Sequence, residues 1–406
     1  MSIILHVDAN NFYASVAIQN NPSLAGKPLI ICGDPEKRHG IVLAKNNEAK
    51  RMGIKTAQTV SDAKKICKDL ICLPPDFHQY AIFSDKLFEI YKRYTPLVEK
   101  FGMDECWLDV TGSVKLYGTP EEIAHSIRNT VKNELGITVS VGVSFTKTFA
   151  KLGSDLKKPD AVTVIDKNNF KRVAWKLPVS DMIYIGDTAK SKLLSLKIRT
   201  IGDLANAPIE LLTENFGKSG QKMHDYANGT DGEKVEEYYS EHIPESISNG
   251  TTCSEDITSE RSAKSVVYSL SELVAFRMRR YGLIASGVSV NVKNNDFKCF
   301  SKQTRLHAPT ADAGIIAEAA IKSILHSYTI SEDNPIRTVT VGVYGLAPEK
   351  TTMQDSIFLT DEEKHSVINK KLDGIRDKYG YSILKKAIEL DDTFVCEYDK
   401  IDKKPD

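Results

Sequence analysis

The sequence predicts an α+β protein of several domains, and three observations carry that expectation. At 406 residues the chain is too long for one hydrophobic core, so two to four domains are expected. Up to about residue 156, short apolar runs alternate with helical segments, an order suited to an antiparallel sheet. From 167 to 230 the pattern turns helical, and from 260 to 348 strands return.

Residues 3–8 (Ile-Ile-Leu-His-Val-Asp) read as a buried strand, and Asn10 to Ala17 as the start of a helix bearing the small residues Ala14, Ser15 and Ala17. Two short strands follow at 27–33 and 40–44, then short helices at 45–53 and 60–68. Tyr80, Phe83, Leu87, Ile90 and Tyr91 recur every three to four residues, which predicts an amphipathic helix over 78–95. Residues 98–111 read as a strand, 119–134 as a helix, 137–144 as a strand of period two, and 147–156 as a helix. The helical stretch 167–230 carries two Ile-Gly pairs, Ile185-Gly186 and Ile201-Gly202. The polar segment 232–258, with Ser246-Ile-Ser-Asn-Gly-Thr-Thr252, reads as a linker. A helix, two alternating strands, another helix and a final strand are expected over 260–348, and a short helix near 361–379.

Hydrophobic residues make up 41% and charged residues 27%, the balance of a soluble globular protein. Lys+Arg and Asp+Glu both number 54, so any basic surface must be local. Seven cysteines (Cys32, Cys67, Cys72, Cys106, Cys253, Cys299 and Cys396) are scattered without a CxxC pair. They are expected to be buried, reduced thiols of a cytoplasmic protein rather than disulfides or zinc ligands. The N-terminus lacks the basic region of a signal peptide, and no apolar run has the length of a membrane span.

Asp8 ends the first predicted strand, and Asp104 and Glu105 lie inside Phe-Gly-Met-Asp-Glu-Cys-Trp-Leu-Asp-Val. As one continuous strand, 98–111 would put Asp104 on the face of Cys106, Leu108 and Val110, with Glu105 opposite. Both could then reach one site only at a twist or bulge. A carboxylate on so apolar a face is costly unless paired or bound to a metal. Phosphoryl transfer from a nucleoside triphosphate uses two hard cations about 3.5–4 Å apart, held by carboxylates. Asp8 alone reads equally well as a helix N-cap, and Asp104-Glu105 could be a turn, but an adjacent acidic pair in an apolar run favours the metal site. Asp109 reads as structural.

The residues around these carboxylates resemble the Y-family DNA polymerases. Asp8-Ala-Asn-Asn-Phe-Tyr-Ala-Ser-Val, Asn-Pro-Ser-Leu-Ala-Gly-Lys-Pro-Leu (21–29) and Met-Asp-Glu-Cys-Trp-Leu-Asp-Val-Thr-Gly (103–112) all match. So do Val141-Gly-Val-Ser-Phe-Thr-Lys-Thr-Phe-Ala-Lys-Leu-Gly-Ser-Asp-Leu-Lys-Lys-Pro and Leu177-Pro-Val-Ser. The resemblance spans about residues 1–348 and is nearest the DinB (DNA polymerase IV) branch, with some UmuC-like features.

It implies a right-hand polymerase with a ferredoxin-like palm, small fingers, a helical thumb and an α/β little-finger domain. On that plan 1–10 and 76–166 form the palm, 11–75 the fingers, 167–232 a helix-hairpin-helix-like thumb and 233–258 a linker. Residues 259–348 form the little finger and 349–406 a tail. By match, Asp8, Asp104 and Glu105 are catalytic carboxylates holding two Mg²⁺ ions, with the Ala9 carbonyl as a further ligand. Tyr13 matches the steric gate, an aromatic ring under the sugar that leaves no room for a 2′-hydroxyl. Phe12, Asn47, Lys50 and Lys158 match nucleotide-binding positions. The usual Tyr-Glu-Ala-Arg of the fingers is here Asn47-Glu-Ala-Lys50, which keeps a cation but loses the bidentate fork. Tyr184-Ile185-Gly186 stands where Gly-Ile-Gly is usual. Small residues (Gly40, Ala44, Ala49) in the fingers suggest a roomy pocket, and the resemblance implies error-prone translesion synthesis by a monomer.

From Arg261 to Arg305 nine basic residues face only Glu272 and Asp296. Lys293, Lys298, Lys302 and Arg305 are expected to form a basic sheet face that tracks DNA phosphates. The backbone N–H groups at Gly186 and Gly202 are expected to hold phosphate as well. Gln354-Asp-Ser-Ile-Phe358 resembles a sliding-clamp-binding peptide, with Gln354, Ser356, Ile357 and Phe358 as its anchors. A catalytically silent DNA-binding scaffold and a nucleotidyl cyclase stay open as alternatives. All three carboxylates speak against the first, and the basic region and thumb against the second.

Overall fold

In the computed structural model, which describes residues 2–34, 40–237, 243–349, 361–380 and 383–384, the chain forms two units, 1–240 and 241–406. The first begins with β1 (Ile4–Ala9), whose six residues are all buried, and α1 (Phe12–Asn20). Burial on both faces is why β1 reads as a nearly continuous apolar run. Next come β2 (Leu29–Cys32), β3 (Val42–Lys45), α2 (Asn47–Arg51), α3 (Val60–Ile66) and β4 (Ile71–Leu73). These strands make a small sheet of order β3-β2-β4 over a core that includes Ile30, Val42 and Ile54. Ala49 is fully buried in that core, so it does not enlarge a pocket as expected.

The chain continues through α4 (Phe77–Lys92), β5 (Val98–Lys100), β6 (Glu105–Asp109), α5 (Val114–Tyr117), α6 (Pro120–Leu135), β7 (Val139–Ser144), α7 (Lys147–Leu156) and β8 (Val162–Ile165). The central sheet has the order β5-β6-β1-β7-β8, antiparallel except for the β7–β8 pair. Here the single strand expected over 98–111 is corrected. Residues 101–104 turn, and Phe101 and Gly102 both donate backbone hydrogen bonds to the Glu105 carbonyl. Short β8 had no counterpart in the sequence reading.

The pattern Val139-Ser-Val-Gly-Val-Ser sets the layers of this sheet. Val139, Val141 and Val143 join Leu5, Val7, Cys106 and Leu108 on the face that packs against α4 and α6. Ser140, Gly142 and Ser144 lie opposite Asp8, His6 and Ile4 on the other face, where α7 packs. Their small size lets α7 approach closely: a Cβ on Gly142 would sit 1.9 Å from the Ala150 carbonyl oxygen. Thr119 and Glu122 cap α6 reciprocally, and Gly136 ends it with φ 67°. The helices α8 (Phe170–Ala174), α9 (Asp187–Ser195), α10 (Ile201–Ala205), α11 (Ile209–Phe216) and α12 (Lys218–Asn228) share a core around Leu193, Ile201, Leu204 and Leu212.

The second unit comprises β9 (Ser246–Ile257), α13 (Glu260–Arg280), β10 (Leu283–Asn294), β11 (Cys299–Thr310), α14 (Ala313–Ser327), β12 (Ile336–Pro348) and α15 (Asp361–Tyr379). Its antiparallel sheet has the order β11-β10-β12-β9 and packs one face on α13 and α14. Half of the expected linker 233–258 is therefore strand. Serines, threonines and Gly250 made 246–257 look like a turn region, but Ile247, Cys253 and Ile257 point into the core. Helix α15 docks on α13: the Arg376 guanidinium lies 3.2 Å from Glu272 Oε2, and both side chains are almost wholly buried. The six described cysteines are free thiols, and Cys299 departs from expectation in being exposed.

Candidate active site

Asp8 and Glu105 lie directly opposite each other across β1 and β6. In an antiparallel pair, opposite residues share a face, so both carboxylates point toward α7. Asp104 precedes β6, in the turn rather than in the strand, and its carbonyl accepts a hydrogen bond from the Ala9 N–H at 3.0 Å. The turn gathers the adjacent acids where a regular strand would have sent them to opposite faces.

Two lysines and a histidine complete the cluster, and of these only Lys158 was expected. Lys151 reaches up from α7 to Asp8 Oδ2 (2.9 Å) and Glu105 Oε2 (2.6 Å). Lys158 contacts Asp8 Oδ1 at 2.7 Å and Asp155 Oδ1 at 2.8 Å. His6, two residues before Asp8, is fully buried, with Nδ1 2.9 Å from Ser154 Oγ and Nε2 3.5 Å from Glu105 Oε2. Sequence reading saw His6 only as a break in an apolar run; the signal was its i, i+2 spacing from Asp8, which puts both on one sheet face.

Charge and burial pull these groups apart in pKa. Burial raises Asp104 to about 6, helped by the negative charges of Asp8 and Glu105. Burial also pushes Glu105 up, and there it outweighs the Lys151 ammonium. At Asp8 burial works in the same direction, but Lys151 and Lys158 together win and hold its carboxyl below the usual range. Burial and then the Lys151 charge keep His6 well below an ordinary imidazole, hence neutral.

Atoms of His6, Asp8 and Glu105 lie within 4.8 Å of one another, a spacing that a single metal ion could bridge. The donors are mainly carboxylate oxygens and already draw two ammonium groups, so the site suits a hard divalent cation.

Tyr13 stands beside this cluster. Burial and then the Asp104 charge raise its phenol pKa. Its ring stacks on Tyr80, and its hydroxyl points at Met103 Sδ, 3.9 Å away. Phe12 is 3% exposed and packs in the core, so its side chain is not open to a ligand. Buried Asn10, which sequence reading passed over, ties the neighbourhood together. Its Oδ1 accepts from the Asp160 N–H at 2.8 Å, and its Nδ2 donates to Ser140 Oγ at 2.9 Å. Asp160 also binds Arg128 and Lys132, which fixes the turn that carries Lys158.

Asn47 begins α2, and Lys50 is exposed. Neighbouring Lys45 donates to Thr56 Oγ1, and burial followed by the Lys50 charge lowers its pKa. Gly202 departs from its expected role: its N–H donates to the Trp175 carbonyl at 2.8 Å, and an added Cβ would meet that same oxygen. Gly186 caps α9 with open space around it. Tyr184 adopts φ 68°, the left-handed region that favours glycine, so the tyrosine there carries backbone strain.

In the second unit the expected basic face divides. Arg279 pairs with Asp373, Arg277 donates to the Ser248 carbonyl, and Lys264 lies by Glu260. Lys293 and Arg305 fall on the sheet face turned away from the helices, with Asn291, Gln303, Thr338 and Thr340. Lys302 pairs with buried Val290 and so belongs to the helix-covered face, though it is itself exposed. Lys298 sits in the β10–β11 turn region, 80% exposed. The open face is thus polar more than basic. The expected clamp-binding residues Gln354, Ser356, Ile357 and Phe358 lie outside the described residues. Among the described residues no helix is long and apolar enough to cross a membrane.

Residues 7–155 match the impB/mucB/samB family and 244–356 its C-terminal domain. Residues 184–231 match the thumb domain described for DNA polymerase-iota. The DNA polymerase IV of Acetivibrio thermocellus is 42% identical over 96% of this chain and 98% of its own length. That of Pelotomaculum thermopropionicum is 36% identical over 95% of each. Among solved structures, the Y-family DNA polymerase chimera Dbh-Dpo4(243-245)-Dbh aligns with a TM-score of 0.75 at 22% identity. The alignment covers 85% of this chain and 99% of that one, a likeness of fold.

Proposed function

The chain belongs to the impB/mucB/samB family, the DinB-like Y-family polymerases, and from that premise we propose that Asp8, Asp104 and Glu105 are the carboxylates on which its nucleotidyl transfer depends. It is a DNA-directed DNA polymerase of the translesion type, acting on primer-template DNA and deoxynucleoside triphosphates. The observation that carries the site assignment is the pairing of Asp8 with Glu105 across β1 and β6, with Asp104 in the adjoining turn.

Polymerases of this family depend on a divalent metal. In our reading Asp8, Asp104, Glu105 and the Ala9 carbonyl would hold two Mg²⁺ ions. Bound there, they would supply a lowered pKa at the primer 3′-hydroxyl and charge neutralisation at the departing pyrophosphate. The chain's own residues do the rest. Lys158 leaves Asp8 to contact the triphosphate, an exchange of one anionic partner for another. Asn10 and Asp160 hold the turn that aims it. Tyr13 lies under the sugar and excludes a 2′-hydroxyl, while Phe12 can meet the triphosphate only through its backbone. Asn47, Lys50 and Lys45 face the outer phosphates from the fingers. Lys293, Lys298 and Arg305 contact the DNA backbone, Gly186 offers a phosphate contact in the thumb, and the Gln354–Phe358 peptide docks a sliding clamp.

Primer extension on intact and abasic templates with Mg²⁺ tests the function. Extension across both supports it. Binding without extension would favour the silent scaffold, and DNA-independent release of pyrophosphate from a nucleoside triphosphate would favour the cyclase.

A further inference from the structure

We propose that Lys151 is the resident counter-ion of the carboxylate site: it holds Asp8 and Glu105 together whenever no metal is bound and competes with the divalent metal for their oxygens. The proposal rests on the reading of these carboxylates as metal ligands.

The ammonium takes one oxygen from each acid, Oδ2 of Asp8 and Oε2 of Glu105, so it bridges them as a metal would. Its side chain is only 16% exposed, and a third carboxylate, Asp155, lies 3.5 Å away. Its backbone has little freedom. Helix α7 is seated against Gly142, and the Lys151 carbonyl accepts from Ser154 Oγ at 2.7 Å. Lys158 differs: it follows the end of α7, is 29% exposed, and touches the other oxygen of Asp8. With both lysines in place, each oxygen of Asp8 already faces a cation. A divalent ion must therefore displace one of them or accept a poorer ligand set.

Two consequences oppose each other. Without Lys151 the acids would repel in a half-buried site, and the metal-free protein would lose stability. With it, metal binding in the absence of nucleotide is held weak. A triphosphate brings its own oxygens and draws Lys158 off Asp8, which restores part of the ligand set. Lys151 is thus a positioning residue that sets the spacing of Asp8 and Glu105 before a metal binds.

The experiment uses the full chain without DNA or nucleotide, with Mn²⁺ as the probe. Calorimetry gives its affinity, and thermal melting in EDTA and in Mn²⁺ gives stability. Lys151→Met should tighten Mn²⁺ binding by about tenfold or more while lowering the melting temperature in EDTA. Lys151→Arg, which keeps the charge, should melt near wild type in EDTA and bind Mn²⁺ no better than wild type. Asp104→Asn removes a carboxylate that Lys151 does not touch and should weaken Mn²⁺ binding. Unchanged binding in that variant would refute the metal-site reading itself. Weakened binding there, with unchanged or weaker binding in Lys151→Met, would overturn only the counter-ion proposal. Should Lys151→Met fail to fold, tighter binding by Lys151→Arg would overturn the proposal, and binding equal to or weaker than wild type would support it.

Discussion

Tyr13 and Tyr80 stack nearly parallel, with ring centroids 4.2 Å apart and planes 17° from each other. Phe77 meets both rings edge-on, so the Tyr13 ring is braced from behind. A gate that excludes one hydroxyl needs a wall that does not tilt. Tyr13→Ala should raise ribonucleotide incorporation on the order of 10²-fold relative to deoxyribonucleotides. Tyr80→Leu should raise it by less, because the ring stays but loses its support. Single-nucleotide kinetics with paired ribo and deoxy substrates measure both, and unchanged discrimination in Tyr13→Ala would refute the gate.

Metal affinity should depend on pH through Asp104. Burial and the neighbouring charges of Asp8 and Glu105 raise its carboxyl to about 6, and a cation binds its ionised form. Below pH 6 the ionised fraction falls about tenfold per unit, so Mn²⁺ affinity should weaken by about that factor. Above pH 7 the profile should flatten. Calorimetric titration from pH 5 to 8 reads the curve, and a flat profile across pH 6 would contradict the raised pKa.

Gly142 and Gly186 should behave oppositely on gaining a methyl group. At Gly142 the new atom would strike the Ala150 carbonyl and the Ser154 N–H, forcing α7 and its lysines off the sheet. Gly142→Ala should cost about 3 kcal/mol or more. At Gly186 the new atom meets nothing within 4 Å, so Gly186→Ala should be nearly neutral in denaturant unfolding.

The Arg376–Glu272 pair should reveal itself by asymmetry. Arg376→Met removes the cation facing a buried carboxylate and should destabilise the 241–406 unit by about 3–5 kcal/mol. Changing Glu272 to Leu in the same chain should recover much of that loss. Denaturant melts of both variants give the comparison; equal losses would mean the charges are not coupled.

Strand and helix positions near the active site were legible because their periods were clean. Asp8 near a strand end and Lys158 beyond a helix follow from the sequence pattern itself. Residues 98–111 misled because every residue there tolerates a strand; only Gly102 hinted at the turn that gathers Asp104 and Glu105. His6, Asn10 and Lys151 were invisible for another reason. Their partners lie across sheet register and helix packing, as with His6 and Ser154, 148 residues apart. A local charge count misjudged 261–305 because it could not see Asp373 neutralising Arg279, or that Lys302 and Arg305 belong to opposite faces.

Asp8, Asp104 and Glu105 are proposed to act as one catalytic carboxylate site. Primer extension by Asp104→Ala with Mg²⁺, alongside its affinity for the same primer-template, tests it most directly. Extension should fall at least about 10³-fold while DNA affinity stays within about threefold of wild type. Extension at the wild-type rate would contradict the assignment.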